Sequence, residues 1–293
     1  MTFACFDFFK SILECYKGMR LVTILLILLT WVANAESRPG ERLPLFEFGV
    51  GGGIGVIPDY PASDNSRVRG LAVPYAIYRG EIVRSDREGG LRTRLFQGSS
   101  YEVNFSFSGS FPSESDNNEA RNGMSDLDWL FEVGPQLKWM FWKSGDPIRF
   151  EIRFPVRAVY SSNLVKIVDR GFIFNPEARL QFRDMPYKEA NFLVTLSTSL
   201  GSERINDYFY EVKPEFQRFD RPIYDAKEGF IGTTLTVGQS IPVGDFTLYV
   251  AYSLSKFGGS TNQSSPLFKS ETNETYGFGL LYNFYASEET STP

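Results

Sequence analysis

The chain has 293 residues, with 30 lysines and arginines, 35 aspartates and glutamates, and no histidine. The lack of histidine excludes Ser-His-Asp and Cys-His catalysis, and the net charge of -5 argues against nucleic acid as a partner. Aromatic residues make up 16% of the chain, yet its mean hydropathy is only -0.20. We do not expect that combination in a water-soluble globule.

The first segment in chain order is predicted to be a Sec-type signal peptide, residues 1–35. Arg20 precedes an apolar run that is too short for a membrane-spanning helix of roughly 20 residues. Ala33 and Ala35 then supply the two small residues of a signal-peptidase site, so we expect cleavage after Ala35. Residues 1–18 lie upstream of a second methionine, and two explanations stand: a start codon placed too early, or an extended amino-terminal region.

Cleavage at this site would remove both cysteines, Cys5 and Cys15. The mature protein is then not a disulfide scaffold, so burial or a closed hydrogen-bond ladder must hold it together. No metal site and no cofactor is predicted.

Period-two alternation recurs along the rest of the chain, and no sustained helical period is present after residue 35. Aromatic and aliphatic residues alternate with polar ones at 101–107, 129–141, 148–156, 246–254 and 276–284. Alternate residues of a strand point to opposite faces. Many of these runs exceed the five or six residues typical of soluble sheets, and aromatic residues lie near their ends, as in a transmembrane barrel.

The alternation predicts an antiparallel transmembrane β-barrel of about 12 strands over residues 36–285, with a short tail at 286–293. Short and long connections alternate, and the segment 161–170 is among the long ones. The hairpin 81–97 is short and charged, and if it does not span, the barrel has about 10 strands. Segment 207–213 is assigned to an outer loop, with a further short strand as the alternative. We place strands at 44–56, 67–78, 81–87, 91–97, 101–111, 127–142, 147–160, 171–184, 190–202, 228–241, 245–256 and 274–285.

Two neighbouring predicted strands carry charges on the face opposite their apolar stripe, which we expect to line the lumen. A charged lumen can select solutes, or an ion-pair network can fill a narrow barrel; the sequence leaves both open. The residues are Arg149, Glu151, Arg153 and Arg157 on one strand, and Glu177, Arg179 and Arg183 on the next.

Other candidate sites have ordinary explanations. The glycine-rich segment 49–55 lacks the G-K-[ST] of a nucleotide loop, and glycine in a barrel strand permits a sharp bend. Asp126 and Asp128 could form a glycosidase acid pair, but they lie at a loop edge where solvated charge is the better explanation. No catalytic residue is assigned.

Several short motifs resemble the MipA/OmpV family of Gram-negative outer-membrane proteins (MltA-interacting protein-like) across nearly all of the mature chain. Ala62 stands where the family pattern has glycine. The matching segments are Gly53–Tyr60 with Ser63-Asp64, Val73-Pro74-Tyr75, Val133-Gly134-Pro135, Gly171-Phe172 with Pro176-Glu177, Tyr208–Val212 with Pro214, and Gly229–Leu235.

The resemblance implies a barrel in the outer membrane, in contact with outer-membrane lipid and lipopolysaccharide. One founding member of the family is described as a scaffold that joins a lytic transglycosylase to a peptidoglycan synthase, and others are treated as porin-like or adhesive. We therefore expect a non-enzymatic structural or scaffold protein, with a narrow channel for small solutes as the alternative.

The last strand also carries a signal for the barrel-assembly machinery. Gly279, Tyr282 and Phe284 occupy its glycine and aromatic positions. Gly277 replaces a more usual polar residue, and nine residues follow Phe284, whereas such proteins commonly end at the aromatic. An ordinary last strand with a tail explains the same residues.

Overall fold

The computed structural model describes residues 46–78, 83–86, 90–93, 96–97, 100–142 and 146–288, without the side chains of 75–99. The predicted signal peptide, its cleavage residues Ala33 and Ala35, and the end of the tail lie outside these ranges. The strands are β1 (Phe46–Pro58), β2 (Ser66–Tyr78), β3 (Val83–Asp86), β4 (Gly90–Thr93), β5 (Phe96–Gln97), β6 (Tyr101–Ser110), β7 (Trp129–Met140), β8 (Ile148–Ser162), β9 (Ile167–Phe174), β10 (Glu177–Arg183), β11 (Asn191–Gly201), β12 (Gly229–Val243), β13 (Phe246–Lys256) and β14 (Thr272–Ala286).

Twelve of the described strands form one antiparallel sheet in which most sequence neighbours pair, and β3 and β4 pair with each other in a separate hairpin. The first long strand, β1, pairs with the last, β14, so the two ends of the described chain meet in the wall. The β3–β4 hairpin lies between β2 and β6, with β3 next to β2 and β4 next to β6. The predicted antiparallel transmembrane barrel is confirmed, and each predicted strand position carries a strand.

Two details of the strand prediction need correction. The predicted strand 171–184 is interrupted at Asn175-Pro176, where β9 ends and β10 begins, because proline cannot donate to the ladder. The connection predicted as long at 161–170 is only residues 163–166, since β8 and β9 both continue beyond the predicted ends. The described β3, β4 and β5 have only four, four and two residues, so the segment 81–97, on which the choice between ten and twelve strands depends, carries much shorter strands than the rest of the barrel.

The barrel has an apolar exterior and a polar interior. On β8, Phe150 and Val156 are 38% and 46% exposed, whereas Glu151 and Arg153 are 6% and 9% exposed. A soluble protein would bury the opposite set. Aromatic rings cluster near the strand ends, as with the stacked pair Trp139 and Phe141. This arrangement suits a bilayer, which solvates the apolar face and requires a closed hydrogen-bond ladder.

The segment 207–213, assigned to an outer loop with a short strand as the alternative, contains the last four residues of an α-helix, α1 (Glu203–Tyr210), rather than a further strand. Its apolar residues Ile205, Phe209 and Tyr210 are buried, Glu203 is exposed, and Asp207 is partly buried. Eight residues give only two turns, too few for a clear period in the sequence. No helix among the described residues is long and apolar enough to cross a membrane.

The main hydrophobic core lies in the long connections rather than between the strands. We call this assembly of 59–65, 111–128, 202–228 and 257–271 the cap. It packs against Leu130 and Val159 at the upper ends of β7 and β8, so it occupies the mouth of the barrel. The buried core residues are Tyr60, Leu127, Leu130, Val159, Ile205, Phe209, Tyr210, Val212, Ala226 and Leu267.

Hydrogen bonds between distant loops lock the cap. The Tyr60 hydroxyl donates to the carbonyl of Leu267 at 2.8 Å, and the Tyr210 hydroxyl donates to the carbonyl of Pro61 at 3.2 Å. Burial raises the pKa of the Tyr210 hydroxyl well above its usual range, which keeps this donor protonated. Ala62 has a φ of 65°, a conformation that favours the glycine of the family pattern.

Candidate functional site

The predicted lumen charges lie on β8 and β10, which pair directly. Arg153 is opposite Glu177, and Glu151 is opposite Arg179. On the other side of β8, Lys138 of β7 is opposite Arg153. The barrel therefore brings charges from three adjacent strands to one interior surface, which we call the charged wall.

Glu151 is the centre of the lower part of this wall. Its carboxylate accepts hydrogen bonds from Nε and Nη2 of Arg153, the former at 2.7 Å, and forms an ion pair with Lys138 Nζ at 3.0 Å. Arg179 Nε lies 3.9 Å away. The ladder neighbour of Arg153 is Glu177, but its side-chain partner is Glu151 on its own strand.

Arg157 forms the second cluster, nearer the cap. Its Nε donates to Glu132 at 2.8 Å, Nη1 to the Ser106 hydroxyl at 3.1 Å, and Nη2 to Asn175 Oδ1 at 3.3 Å. Both side chains of the Arg157–Glu132 pair are mostly buried. Removing one member of such a pair leaves an uncompensated charge, which is strongly destabilising.

The remaining predicted charges lie toward the short-turn end. The guanidinium of Arg149 lies 4.1 Å from the ring centroid of Trp142, within the range of a cation–π contact. Arg183 ends β10, where its backbone N–H donates to the carbonyl of Pro147. These two residues are separate from the Arg157 cluster.

The sequence prediction omitted Glu132, Lys138 and Glu102 from the interior set. The first two share a polar face of β7, and Glu102 is opposite Lys138 in the β6–β7 ladder. Glu102 is 5% exposed and Lys138 is 5% exposed. The alternation along β6 and β7 carried this signal, because the same face holds Asn104 and Gln136.

The opposite side of the lumen has glycine, serine and threonine at several interior positions, beside the larger Leu71 and Tyr249. Gly53 of β1 is opposite Gly279 and Leu71, and Thr236 of β12 is opposite Thr195 and Ser253. We call this surface the small-residue wall. Leu71 faces the interior but remains 47% exposed, so water reaches the lumen beside it.

A polar cavity of about 250 Å³ lies against the charged wall. Its lining includes Ser106, Gln136, Arg153, Arg157, Asn175 and Glu177. It therefore joins the two ion-pair clusters. Among the described residues, no group of three or more cysteine, aspartate or glutamate side chains is arranged to hold a metal ion.

The residues of the predicted assembly signal lie on β14. Tyr282 stacks on Phe246 with ring centroids 4.8 Å apart, and Phe284 is 63% exposed on the apolar exterior. Gly279 is opposite Gly53, where β14 meets β1. The two loop acids have structural contacts: Asp126 accepts the N–H of Ser115 at 2.7 Å, and the N–H of Asp128 donates to the Tyr208 hydroxyl.

The chain is similar to several solved outer-membrane structures. These are the NanC porin (9% identity, 80% of this chain and 98% of that one, TM-score 0.34), OprB of Pseudomonas putida (10%, 82% and 94%, 0.36) and the outer-membrane protease OmpT of Escherichia coli (10%, 86% and 99%, 0.28). A comparison with curated protein sequences gives no significant match.

A family model described as MltA-interacting protein MipA matches residues 50–284. This range contains most of β1, the whole of β2 to β13, the cap and nearly all of β14. The chain therefore belongs to the MipA family and is an outer-membrane β-barrel protein.

Proposed function

We propose that this chain is a non-enzymatic scaffold that holds a lytic transglycosylase of the MltA type at the periplasmic face of the outer membrane, and through it a peptidoglycan synthase. The observation that carries the proposal is the family match over residues 50–284, since that family is described by its interaction with MltA. The short turns of the barrel are assigned to the periplasm, where murein enzymes work.

The packed core of the cap favours a structural role for this protein rather than a role in transport. Tyr210, Val212 and Leu267 are fully buried within it, which a loop that merely borders an open pore would not require. A barrel closed at its outer mouth still presents its periplasmic turns to a partner. Two of these turns lie wholly within the described residues: 184–190, which joins β10 to β11, and Gly244-Asp245, which joins β12 to β13.

The direct test is binding of the full-length barrel, in detergent micelles, to a purified lytic transglycosylase of the MltA type. We expect a saturable complex, and recovery of a peptidoglycan synthase only when the transglycosylase is present. An unrelated outer-membrane barrel serves as the control. Equal binding to both barrels would overturn the scaffold role.

A narrow channel is the second candidate function, because water reaches interior residues such as Leu71. Small solutes would then pass along the charged wall. Planar-bilayer recordings distinguish this function from a closed scaffold.

The proposal also includes export by the predicted signal peptide and insertion by the barrel-assembly machinery into lipid and lipopolysaccharide. Cleavage after Ala35 predicts a mature protein that begins Glu36-Ser37-Arg38. Amino-terminal sequencing of protein purified from outer membranes checks this. A mature protein that begins at Met1 would contradict the export route.

A further inference from the structure

The cavity on the charged wall lies beside breaks in the regular strand pairing. The β7–β8 ladder lacks pairs at Gly134-Pro135, Pro155 of β8 is opposite Gln136, and Asn175-Pro176 separates β9 from β10. Proline has no N–H for the ladder. The regular pairing of β7 and β8 accordingly stops after Val133 and resumes at Gln136. Gly134 has no side chain on the interior face at this place, which leaves space inside the barrel.

The charged side chains that face this cavity do not all have a hydrogen-bond or ion-pair partner. Arg157 is fixed by Glu132, Ser106 and Asn175. Arg153 uses Nε and Nη2 on Glu151, and its Nη1 has no partner among the described residues. The side chain of Glu177 lines the cavity, and its carboxylate has no hydrogen bond or ion pair in the described part of the chain. A negatively charged carboxylate, Glu177, and two positively charged guanidinium groups, Arg153 and Arg157, thus border one small cavity.

We propose that this cavity binds a small zwitterion, a molecule with one ammonium and one carboxylate group and the size of an amino acid or dipeptide. The ammonium pairs with Glu177, and the carboxylate pairs with Arg153 and the edge of Arg157. A simple anion would be repelled by Glu177, and a simple cation by the arginines, so only a ligand with both charges satisfies both sides. Gln136 offers a further hydrogen-bonding amide at the cavity surface.

The position of the cavity indicates the direction of access. The cap occupies the outer mouth of the barrel, whereas the small-residue wall leaves the interior beside Leu71 open to water. The ligand therefore enters from the periplasmic end. The site is independent of partner binding at the periplasmic turns.

The test is titration calorimetry of the full-length protein in detergent micelles with L-alanine and alanyl-alanine as probes. Acetate and ethylammonium are the single-charge comparators. We expect saturable binding of at least one zwitterion and none of either comparator. Glu177→Gln should weaken binding by about tenfold or more, the scale of one lost charge-assisted contact. Glu288→Gln, at an exposed position after β14, is the matched control and should bind as the wild type does.

A second variant, Ser108→Leu, fills the cavity from β6 without changing a charge and should also abolish binding. Thermal unfolding of each variant verifies the fold, and we expect Glu177→Gln to unfold like the wild type because the Glu177 carboxylate has no partner to lose among the described residues. Absence of binding by both zwitterions overturns the proposal. Equal binding of ethylammonium or acetate, or unchanged affinity in Glu177→Gln, overturns it as well.

Discussion

Gly134 shows how one residue shapes the charged wall. A Cβ built at this position would lie 2.0 Å from the carbonyl oxygen of Val156 and 2.8 Å from the Cα of Arg157. Both neighbours are backbone atoms, which cannot rotate away. The close approach of β7 to β8 therefore requires glycine, as is common where two backbones meet.

We expect Gly134→Ala to destabilise the barrel by about 1–3 kcal/mol, the usual cost of overpacking. Gly238→Ala is the control, because its Cβ would meet the Val250 carbonyl oxygen at an ordinary 3.6 Å. Urea unfolding in lipid vesicles measures both. Equal stability of the two variants would mean that β7 and β8 do not approach each other at Gly134.

At the scale of a strand, alternation decides which residues meet lipid. On β12, Leu235 is 43% exposed on the exterior, and its neighbour Thr236 faces the small-residue wall. The Thr236 and Ser253 hydroxyls are 2.8 Å apart. The two residues are adjacent in sequence, but Leu235 faces lipid and Thr236 faces the lumen.

Leu235→Arg should cost about 2–4 kcal/mol, since it places a charge in the bilayer core. Thr236→Arg should cost about 0.5–1.5 kcal/mol, mainly the lost hydrogen bond, because the opposite side chains are small. Unfolding of both variants in vesicles of the same lipid provides the comparison. If Thr236→Arg proved the more harmful change, the register of β12 would be shifted by one residue.

The helix of the cap carries a pH-sensitive carboxyl. Burial, with Glu211, Glu203 and Asp225 nearby, raises the pKa of Asp207 from its ordinary 3.8 to about 6. The folded cap thus binds more protons than the unfolded loop between these two values. The contribution of the Asp207 carboxyl to the stability of the cap is present at low pH and is lost as the pH rises through about 6.

Proteolysis of the 202–228 loop in the intact barrel should accordingly be slower at about pH 5 than at about pH 7.5. Asp207→Asn should remove most of the difference, because the amide does not titrate. Comparing the variant with the wild type at each pH corrects for the protease's own pH dependence. The same pH profile in both proteins would rule out Asp207 as the cause.

Sequence alone predicts the strands well, because period-two alternation is local and repeats many times. It misses α1, whose eight residues are too few to show a period. It does not decide the partner of Arg153, since alternation places Glu151 and Glu177 on the same face but cannot say which carboxylate the guanidinium will reach. Only three-dimensional packing decides that choice.

The cap was the largest feature that the sequence did not predict. Its contacts join residues far apart in the chain, such as Tyr60 and Leu267. The loop sequences are polar and irregular, and a core assembled from single residues of four connections leaves no periodic signal. The membrane barrel thereby holds its hydrophobic core outside the bilayer, where water supplies the driving force for burial.

For the whole molecule, the account depends on the cap closing the outer mouth of a lumen that is otherwise accessible to water. Gly201 and Gly229 pair across β11 and β12, so a short glycine-serine turn can replace the intervening loop without stretching the barrel. This shortened variant lacks α1 and the core residues Phe209 and Tyr210. Its wall strands are unchanged.

Single-channel recording in planar bilayers, on the intact protein and the shortened variant, tests this claim most directly. We predict no conductance steps from the intact protein and steady steps from the variant, because removing the loop opens the mouth above the small-residue wall. Steady steps of the same size from both proteins would contradict the account, since the cap would then not close the barrel.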